Sequence, residues 1–185
     1  MMLTRRQTII AGVAAALLWR PEAAAAAVRI ALLVSPGDQA TQDDVDRFTT
    51  RVEHGILQLP GYTLVSRTRI AEVIAEQGFS NSAYADPATA AQLGKIVGAT
   101  DVLHVELTFN VSQTDGALVT SSEVDAEGDF ELINVSTSQI SKADTAEGSD
   151  SEQAATGASL KPASLMRRAA IDDCAGDLVD KLTQS

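Results

Sequence analysis

The chain contains very little cysteine, histidine and aromatic side chain. Its 185 residues include one cysteine, two histidines, one tryptophan, two tyrosines and four phenylalanines. A single thiol excludes an internal disulfide. Two histidines without H-x-x-x-H or H-x-H spacing give a histidine metal site little support. Because Ala, Val, Leu and Ile dominate the apolar residues, the composition favours helices packed on a sheet over an all-β sandwich.

Basic residues are also scarce relative to acidic ones. The whole chain has a net charge of −11, and residues 28–185 keep 11 basic and 24 acidic side chains, a net charge of −13. Such a surface repels phosphate backbones and anionic lipid, which argues against nucleic acid as a partner and against adsorption to a membrane surface. The length of this part suits a single domain with one core.

Residues 1–27 have the pattern of an export signal. Arg5 and Arg6 precede an apolar run at 9–19, and a series of alanines follows at 23–27. We predict a cleaved signal peptide of the twin-arginine or the Sec type, and therefore a bacterial protein located in the periplasm. The apolar run is shorter than the roughly 20 residues that span a bilayer. Since the only cysteine, Cys174, lies far from this segment, we expect neither a lipid anchor nor a transmembrane segment after cleavage.

The remaining hydrophobic pattern predicts one domain, 28–185, in the order β-α-β-α-α-β-β-β-α. Continuous or alternating apolar residues indicate strands at 28–34, 62–65 and 102–111, and stripes at helical spacing indicate helices at 45–59, 70–77, 87–97 and 162–182. Local signals mark several helix ends, namely the N-cap residues Thr41 and Asp86 and the terminating Gly78 and Gly98. The strand–helix–strand start favours parallel pairing of the first two strands.

The second half of the domain is predicted to consist of hairpins and a loop. We expect a turn at Asp115–Gly116, a strand at 118–124, a second turn at Glu127–Gly128 and a strand at 130–135, followed by a turn at 134–139. Residues 141–161 are almost entirely Ala, Ser, Gly, Asp and Glu. Because such a segment buries little apolar surface, the pattern predicts a mobile acidic loop.

No motif for catalysis, cofactor binding or metal binding is visible. Gly94, Lys95 and Gly98 lie at a helix end before a strand, whereas a phosphate-binding loop follows a strand and opens a helix. Acidic residues in a first helical turn offset the helix dipole, which is the role we assign to Asp43, Asp44 and Asp46. We therefore predict that the protein is not an enzyme and has no catalytic, cofactor-binding or metal-ligating residue, and that it needs no cofactor.

Other isolated polar residues receive structural interpretations. His54 and His104 are expected on the surface or hydrogen-bonded, and Asp172–Asp173 on a solvated helix face. Cys174 is expected to be a small buried residue. Asn134 begins an N-x-S sequence, but bacterial export argues against glycosylation.

Several sequence blocks occur in the order found in a known family. They are Arg67 after the second strand, Glu76–Gln77 at a helix end, the block 86–99 (DPATAAQLGKIVGA), and 132–140 (LINVSTSQI). In these blocks the chain resembles the CsgG family of curli-secretion channels and its relatives in envelope assembly. The resemblance implies an α/β fold of the CsgG-like, anticodon-binding-domain-like type, with a mixed sheet flanked by helices. It also implies binding to protein partners or to further copies of the chain.

The resemblance does not carry over the pore of the curli channel. In that family membrane-spanning hairpins flank the strand corresponding to 130–135. Here the flanking segments are too polar for alternate side chains to face lipid. Three hypotheses about function remain. The first is a non-enzymatic accessory or scaffold protein in envelope or surface-structure assembly. The second is a regulator that docks on a peptidoglycan synthase, as related activators of penicillin-binding proteins do, and the third is an envelope hydrolase whose site forms only in the fold.

Overall fold

The computed structural model describes residues 27–78 and 86–184. The predicted signal peptide therefore lies outside the described residues except for residue 27, and both it and the proposed cleavage remain predictions. The elements occur in the predicted order: β1 (Val28–Pro36), α1 (Gln42–Gln58), β2 (Tyr62–Leu64), α2 (Arg67–Gln77), α3 (Pro87–Val97), β3 (Asp101–Asp115), β4 (Val119–Asn134), β5 (Gln139–Ala155) and α4 (Ala163–Thr183). This confirms the mixed α/β fold class.

The five strands form one mixed sheet in the order β2-β1-β3-β4-β5. β1 pairs in parallel with both β2 and β3, and β3, β4 and β5 follow as antiparallel neighbours. The predicted parallel pairing of the first two strands is confirmed. β1 lies inside the sheet with helices on both sides, which explains its nearly continuous apolar sequence.

Two helix pairs cover opposite faces of this sheet. On the first face, α1 and α4 enclose a core with alternate residues of the strands, including the fully buried Phe48 and Phe130. On the second face, α2 and α3 pack on Ala31, Leu33 and Val102. Full burial of one such apolar side chain contributes about 1.5–3 kcal/mol. The two faces are therefore covered to very different extents, because α2 and α3 reach β1 and only the adjoining ends of β3, β4 and β5.

Local capping fixes the helix ends as the sequence predicts. The Asp44 N–H donates to Thr41 Oγ1 at 3.3 Å, and Thr41 N–H donates back to Asp44 Oδ2 at 3.0 Å, a reciprocal capping box. Asp86 accepts a bond from the Thr89 N–H at 3.0 Å at the start of α3. Gly98 ends α3 with a φ of 77°, a left-handed conformation that favours glycine.

Charged residues on the helices do more than face solvent. Asp172 of α4 binds two arginines of α1, Arg47 at 2.7 Å and Arg51 at 2.8 Å. Arg167 of α4 binds Asp44 at 2.7 Å and lies over the Phe109 ring, 4.1 Å from its centre. The expectation of a simply solvated face is therefore wrong for Asp172, and the ion pairs of Asp172 and Arg167 join α4 to α1.

Two predictions for the second half are wrong. Glu127–Gly128 is not a turn but the middle of β4. Gly128 packs under Phe48 and Cys174, where an added Cβ would lie 3.4 Å and 3.5 Å from their side chains. Residues 139–155 form the strand β5 instead of a mobile loop. β5 is ordered by its pairing with β4 along its whole length and by the close approach of α4 to Ala146 and Gly148, where small residues are required.

Candidate functional site: an acidic sheet face

The most distinctive surface lies where α2 and α3 do not reach. Side chains alternate between the two faces of a strand. Since Leu103, Val105 and Leu107 enter the first-face core, the intervening residues of β3 lie on the second face. The register with β4 and β5 places further polar residues beside them. We call this surface the acidic face, and it comprises Glu106, Thr108, Asn110, Ser112, Glu123, Asp125, Glu127, Asp129, Glu131, Thr145, Glu147, Ser149 and Ser151.

The acidic face concentrates negative charge without local compensation. Seven of its residues are carboxylates, and five of these occupy every second position of β4 from Glu123 to Glu131. β3 and β4 contain no lysine or arginine. Within the described ranges, none of the seven carboxylates lies within ion-pair distance of a basic side chain. The surface is therefore suited to bind positive charge.

Some of these carboxylates directly oppose one another. Glu106 is paired in register with Asp129, and Glu127 with Glu147. Like charges directly opposite on neighbouring strands destabilise a sheet, because their Cβ atoms lie only about 4.5–5.5 Å apart. A groove of 580 Å³ crosses the same surface, with Asp125, Glu127 and Glu147 in its wall. The face thus combines a concave shape with an electrostatic cost that a positively charged partner would relieve.

His104 is hydrogen-bonded, one of the two situations expected from the sequence, and it is buried instead of lying on the surface. Its side chain lies on the second face but is only 8% exposed. Burial lowers the pKa of His104, and the carboxylates of Glu131 and Glu106 oppose this effect only in part. Its Nε2 lies 3.4 Å from Ser35 Oγ. Sequence reasoning missed this pair because it depends on the parallel register of β1 with β3.

The Ser35–His104 pair does not have the arrangement of a hydrolase nucleophile. The Ser35 hydroxyl is also 3.3 Å from the Val105 carbonyl and can donate its hydrogen there instead of to the imidazole. No described carboxylate is hydrogen-bonded to the imidazole, so a base with an orienting acid is not formed by these residues. The geometry gives the hydrolase hypothesis no catalytic triad in the described part of the chain.

The other candidates from the sequence occupy structural positions. Cys174 is fully buried against the Ala146 carbonyl, and burial raises the pKa of its thiol to about 12. His54 is exposed and lies 3.1 Å from Gln58 Nε2. Asn134 Oδ1 accepts from the backbone N–H groups of Ser136 and Thr137, which fixes the β4–β5 turn. These residues are not brought together at any one site.

Residues 27–78 and 86–184 contain neither a cluster of metal-binding side chains nor a membrane-crossing helix. Within these ranges, no group of three or more His, Cys, Asp or Glu side chains is arranged to hold a metal ion. None of the helices described there combines the length and the apolar composition needed to cross a bilayer.

Comparison with known proteins identifies the fold but no family. The chain matches no protein-family profile and no curated protein. Among solved structures, a minor lipoprotein from Acinetobacter baumannii has 17% sequence identity and a TM-score of 0.51, over 84% of this chain and 92% of that chain. The LpoB C-terminal domain from Salmonella enterica has 14% identity and a TM-score of 0.44, over 68% of this chain and 85% of that chain. The first similarity shows a shared fold, and the resemblance to the CsgG family stays a prediction.

Proposed function

We propose that this protein is a non-catalytic accessory or scaffold protein of the bacterial cell envelope, and that it acts by binding a protein partner on its acidic face. The observation that carries this proposal is the unneutralised row of carboxylates on β4, next to the like-charge pairs with β3 and β5. A surface that costs stability in the isolated chain is best explained by a partner that offsets the cost.

The chemistry of the face defines the partner. Carboxylates without basic neighbours attract lysine- or arginine-rich protein surfaces, and complementary charge accelerates association and suppresses wrong partners. Repulsion from phosphate and anionic lipid excludes nucleic acid and the membrane surface as partners for this face. Because exposed charges are screened over about 8 Å at physiological salt, the complex is expected to weaken as the salt concentration rises.

The envelope location is supported by the sequence. The paired arginines, apolar run and alanines of residues 1–27 have the pattern of an export signal. The A. baumannii protein that shares the fold is itself a lipoprotein. A narrower form of the proposal is that the partner is a peptidoglycan synthase whose activity this protein regulates. Stimulation of a purified synthase would favour this form over a scaffold role.

Site-specific crosslinking in living cells tests the proposal. A photoreactive residue replaces Asn110, which is exposed on the acidic face, and a control replaces Gln58, which is exposed at the end of α1. We expect an envelope protein to crosslink from position 110 but not from position 58. The adduct should disappear in a Glu123→Gln, Asp125→Asn, Glu127→Gln variant. Identical adducts from both positions, or an adduct that survives the triple substitution, would contradict the proposal.

A further inference from the structure

β5 is the last strand of the sheet, and its outer edge is only partly occupied. The edge strand runs from Gln139 to Ala155 with β4 on one side and no described strand on the other. An edge of this length presents a row of backbone N–H and C=O groups that can pair with another chain. The bonds formed by neighbouring residues show which backbone groups point outward.

A hydrogen bond at the end of β5 shows which residues of this strand point their backbone N–H and C=O groups toward β4 and which point them outward. Thr156 N–H donates to the Leu118 carbonyl at 3.0 Å, so residues of β5 with the same parity as 156 bond to β4. In an antiparallel pair these alternate with residues whose backbone groups point away from the neighbour. The outward residues are therefore the odd-numbered ones, including Thr145, Glu147, Ser149, Ser151 and Gln153.

Helix α4 occupies the first part of this edge. The Glu147 N–H donates to Asp177 Oδ2 at 3.0 Å, and Lys181 Nζ donates to the Thr145 carbonyl at 2.5 Å. Asp177 and Lys181 also bind each other at 2.9 Å. These two helix side chains occupy the Glu147 N–H and the Thr145 carbonyl, and the Thr145 N–H donates to the Asp144 side chain at 2.8 Å, so this part of the edge is hindered from pairing with another strand.

The second part of the edge has no such protection. Ser149, Ser151 and Gln153 point three N–H and three C=O groups outward, and no hydrogen bond from the described residues reaches them. Lys161 lies nearby but binds the Asp150 carboxylate, on the opposite face of the strand. The side chains of the three open residues lie on the same side of the sheet as the acidic face. The open edge and the acidic face are therefore one continuous surface.

We propose that the partner binds by adding an extended strand to β5 at residues 149–153, with basic side chains at alternate positions over the acidic face. This inference rests on the proposed function and specifies the binding mode and the chemical class of the bound segment. An added strand lies about 4.8 Å from β5, and its alternate side chains point to the same face as Glu147. Long basic side chains on that strand reach toward Glu123, Asp125 and Glu127 of β4.

A second copy of β5 is the alternative occupant, and charge argues against it. The edge segment reads Glu147-Gly-Ser-Asp-Ser-Glu152, so two copies would bring acidic side chains together along the new pairing. If the added strand instead carries lysine or arginine at alternate positions, the same pairing brings its positive charges beside the acidic side chains of this protein. Charge complementarity thus selects a basic segment of another protein.

A peptide binding experiment separates strand addition from simple charge attraction. The probe is a short, end-blocked peptide of alternating lysine and threonine, titrated into the protein at low salt. Its matched control carries the same charges but has N-methylated backbone nitrogens, which cannot donate to a strand. We expect the control to bind at least about tenfold more weakly, and we expect the amides of Ser149, Ser151 and Gln153 to become protected from hydrogen exchange only with the first peptide.

Substitutions of Ser151, on the open edge of β5, give a second test of strand addition. Ser151→Pro removes an outward N–H while leaving the bonds to β4 intact, because proline is tolerated on an edge where its nitrogen faces solvent. It should weaken binding of the first peptide about tenfold, whereas Ser151→Ala should not. If Ser151→Pro does not fold, the comparison of the unmodified peptide with the N-methylated peptide tests strand addition by itself.

The outcomes distinguish this inference from the proposed function. Equal binding of both peptides, without amide protection, would overturn strand addition and leave charge-based binding on the acidic face intact. Absence of binding by both peptides would also overturn strand addition. Failure of the crosslinking at position 110 would instead remove the proposed function itself.

Discussion

The contact between β5 and α4 leaves less room for a side chain at Gly148 than at Gly128, the glycine of β4. Gly148 lies on the first face of β5, directly against the backbone of α4. A Cβ at this position would lie 2.9 Å from Cys174 Cα, and it would collide with the Ala170 carbonyl oxygen and the Cys174 nitrogen. These obstacles are helix backbone, so no side-chain rotation can relieve them.

Gly148→Ala therefore requires α4 and β5 to separate. Carbon atoms in contact are normally about 3.5–4.0 Å apart, so the separation must increase by roughly an ångström. Overpacking of a well-packed core costs about 1–3 kcal/mol. We expect the upper half of this range, since the movement also loosens Ala146 and Cys174, which are fully buried in the same core.

The loss of stability is measured by urea and thermal unfolding, with circular dichroism as the signal. A loss of about 2–3 kcal/mol corresponds to a drop in Tm of roughly 5–10 °C for a domain of this size. Gly176→Ala is the matched control, because Gly176 lies on α4 and an added Cβ would meet no atom within 4 Å. Alanine is the better helix former, so the control should gain up to about 1 kcal/mol.

The result that would refute the reasoning is a Gly148→Ala protein as stable as the wild type. That outcome would mean that α4 does not approach β5 as closely as described. The control excludes a general effect of replacing glycine by alanine.

Three further predictions concern titrating groups. Cys174 should react slowly with a chromogenic disulfide at pH 8 in the native protein and rapidly in urea, because burial raises its pKa to about 12; fast native labelling would contradict its burial. The pKa of His104 is lowered from an ordinary value of 6.5 by burial, so the unfolded chain binds more protons below that pH, and the free energy of unfolding should fall as the pH decreases through the folded pKa. His104→Gln should remove this part of the pH dependence in urea unfolding, and an unchanged profile would argue against a buried neutral imidazole. Burial raises the pKa of Asp44, but bonds from Arg167 and Thr41 outweigh it and lower the pKa below 3.8. Its stabilisation is therefore present above the unfolded pKa and lost as the pH falls through the folded value. Asp44→Asn and Arg167→Gln should each flatten the acid limb of the stability curve, and a steep limb in both variants would refute the assignment.

The sequence by itself determined the parts of the protein that depend on local interactions. Helical stripes, the Thr41 and Asp86 caps and the terminating Gly78 and Gly98 act within a few residues of one another, and each lies where the pattern predicts. The apolar run of β1 likewise indicates a strand covered on both faces. The turn after β4 follows from Asn134, whose side chain binds the next backbone groups.

Only the tertiary structure decided the status of residues 139–155. Their composition has too little apolar surface to order a segment by itself. The strand exists because β4 supplies a hydrogen-bonding partner along its whole length and because α4 approaches so closely that Ala146 and Gly148 are the residues that fit. For the same reason Gly128 indicates a turn in the sequence but serves as a packing position under Phe48 in the fold.

The candidate site also depends on long-range pairing. From the sequence alone, each acidic residue of β4 is indistinguishable from an ordinary solvated side chain. The register with β3 and β5 places these carboxylates opposite others, and the limited reach of α2 and α3 leaves them on an open face. Sequence periodicity fixes which face a side chain takes within its own strand, whereas its neighbours on that face are set by pairing between distant segments.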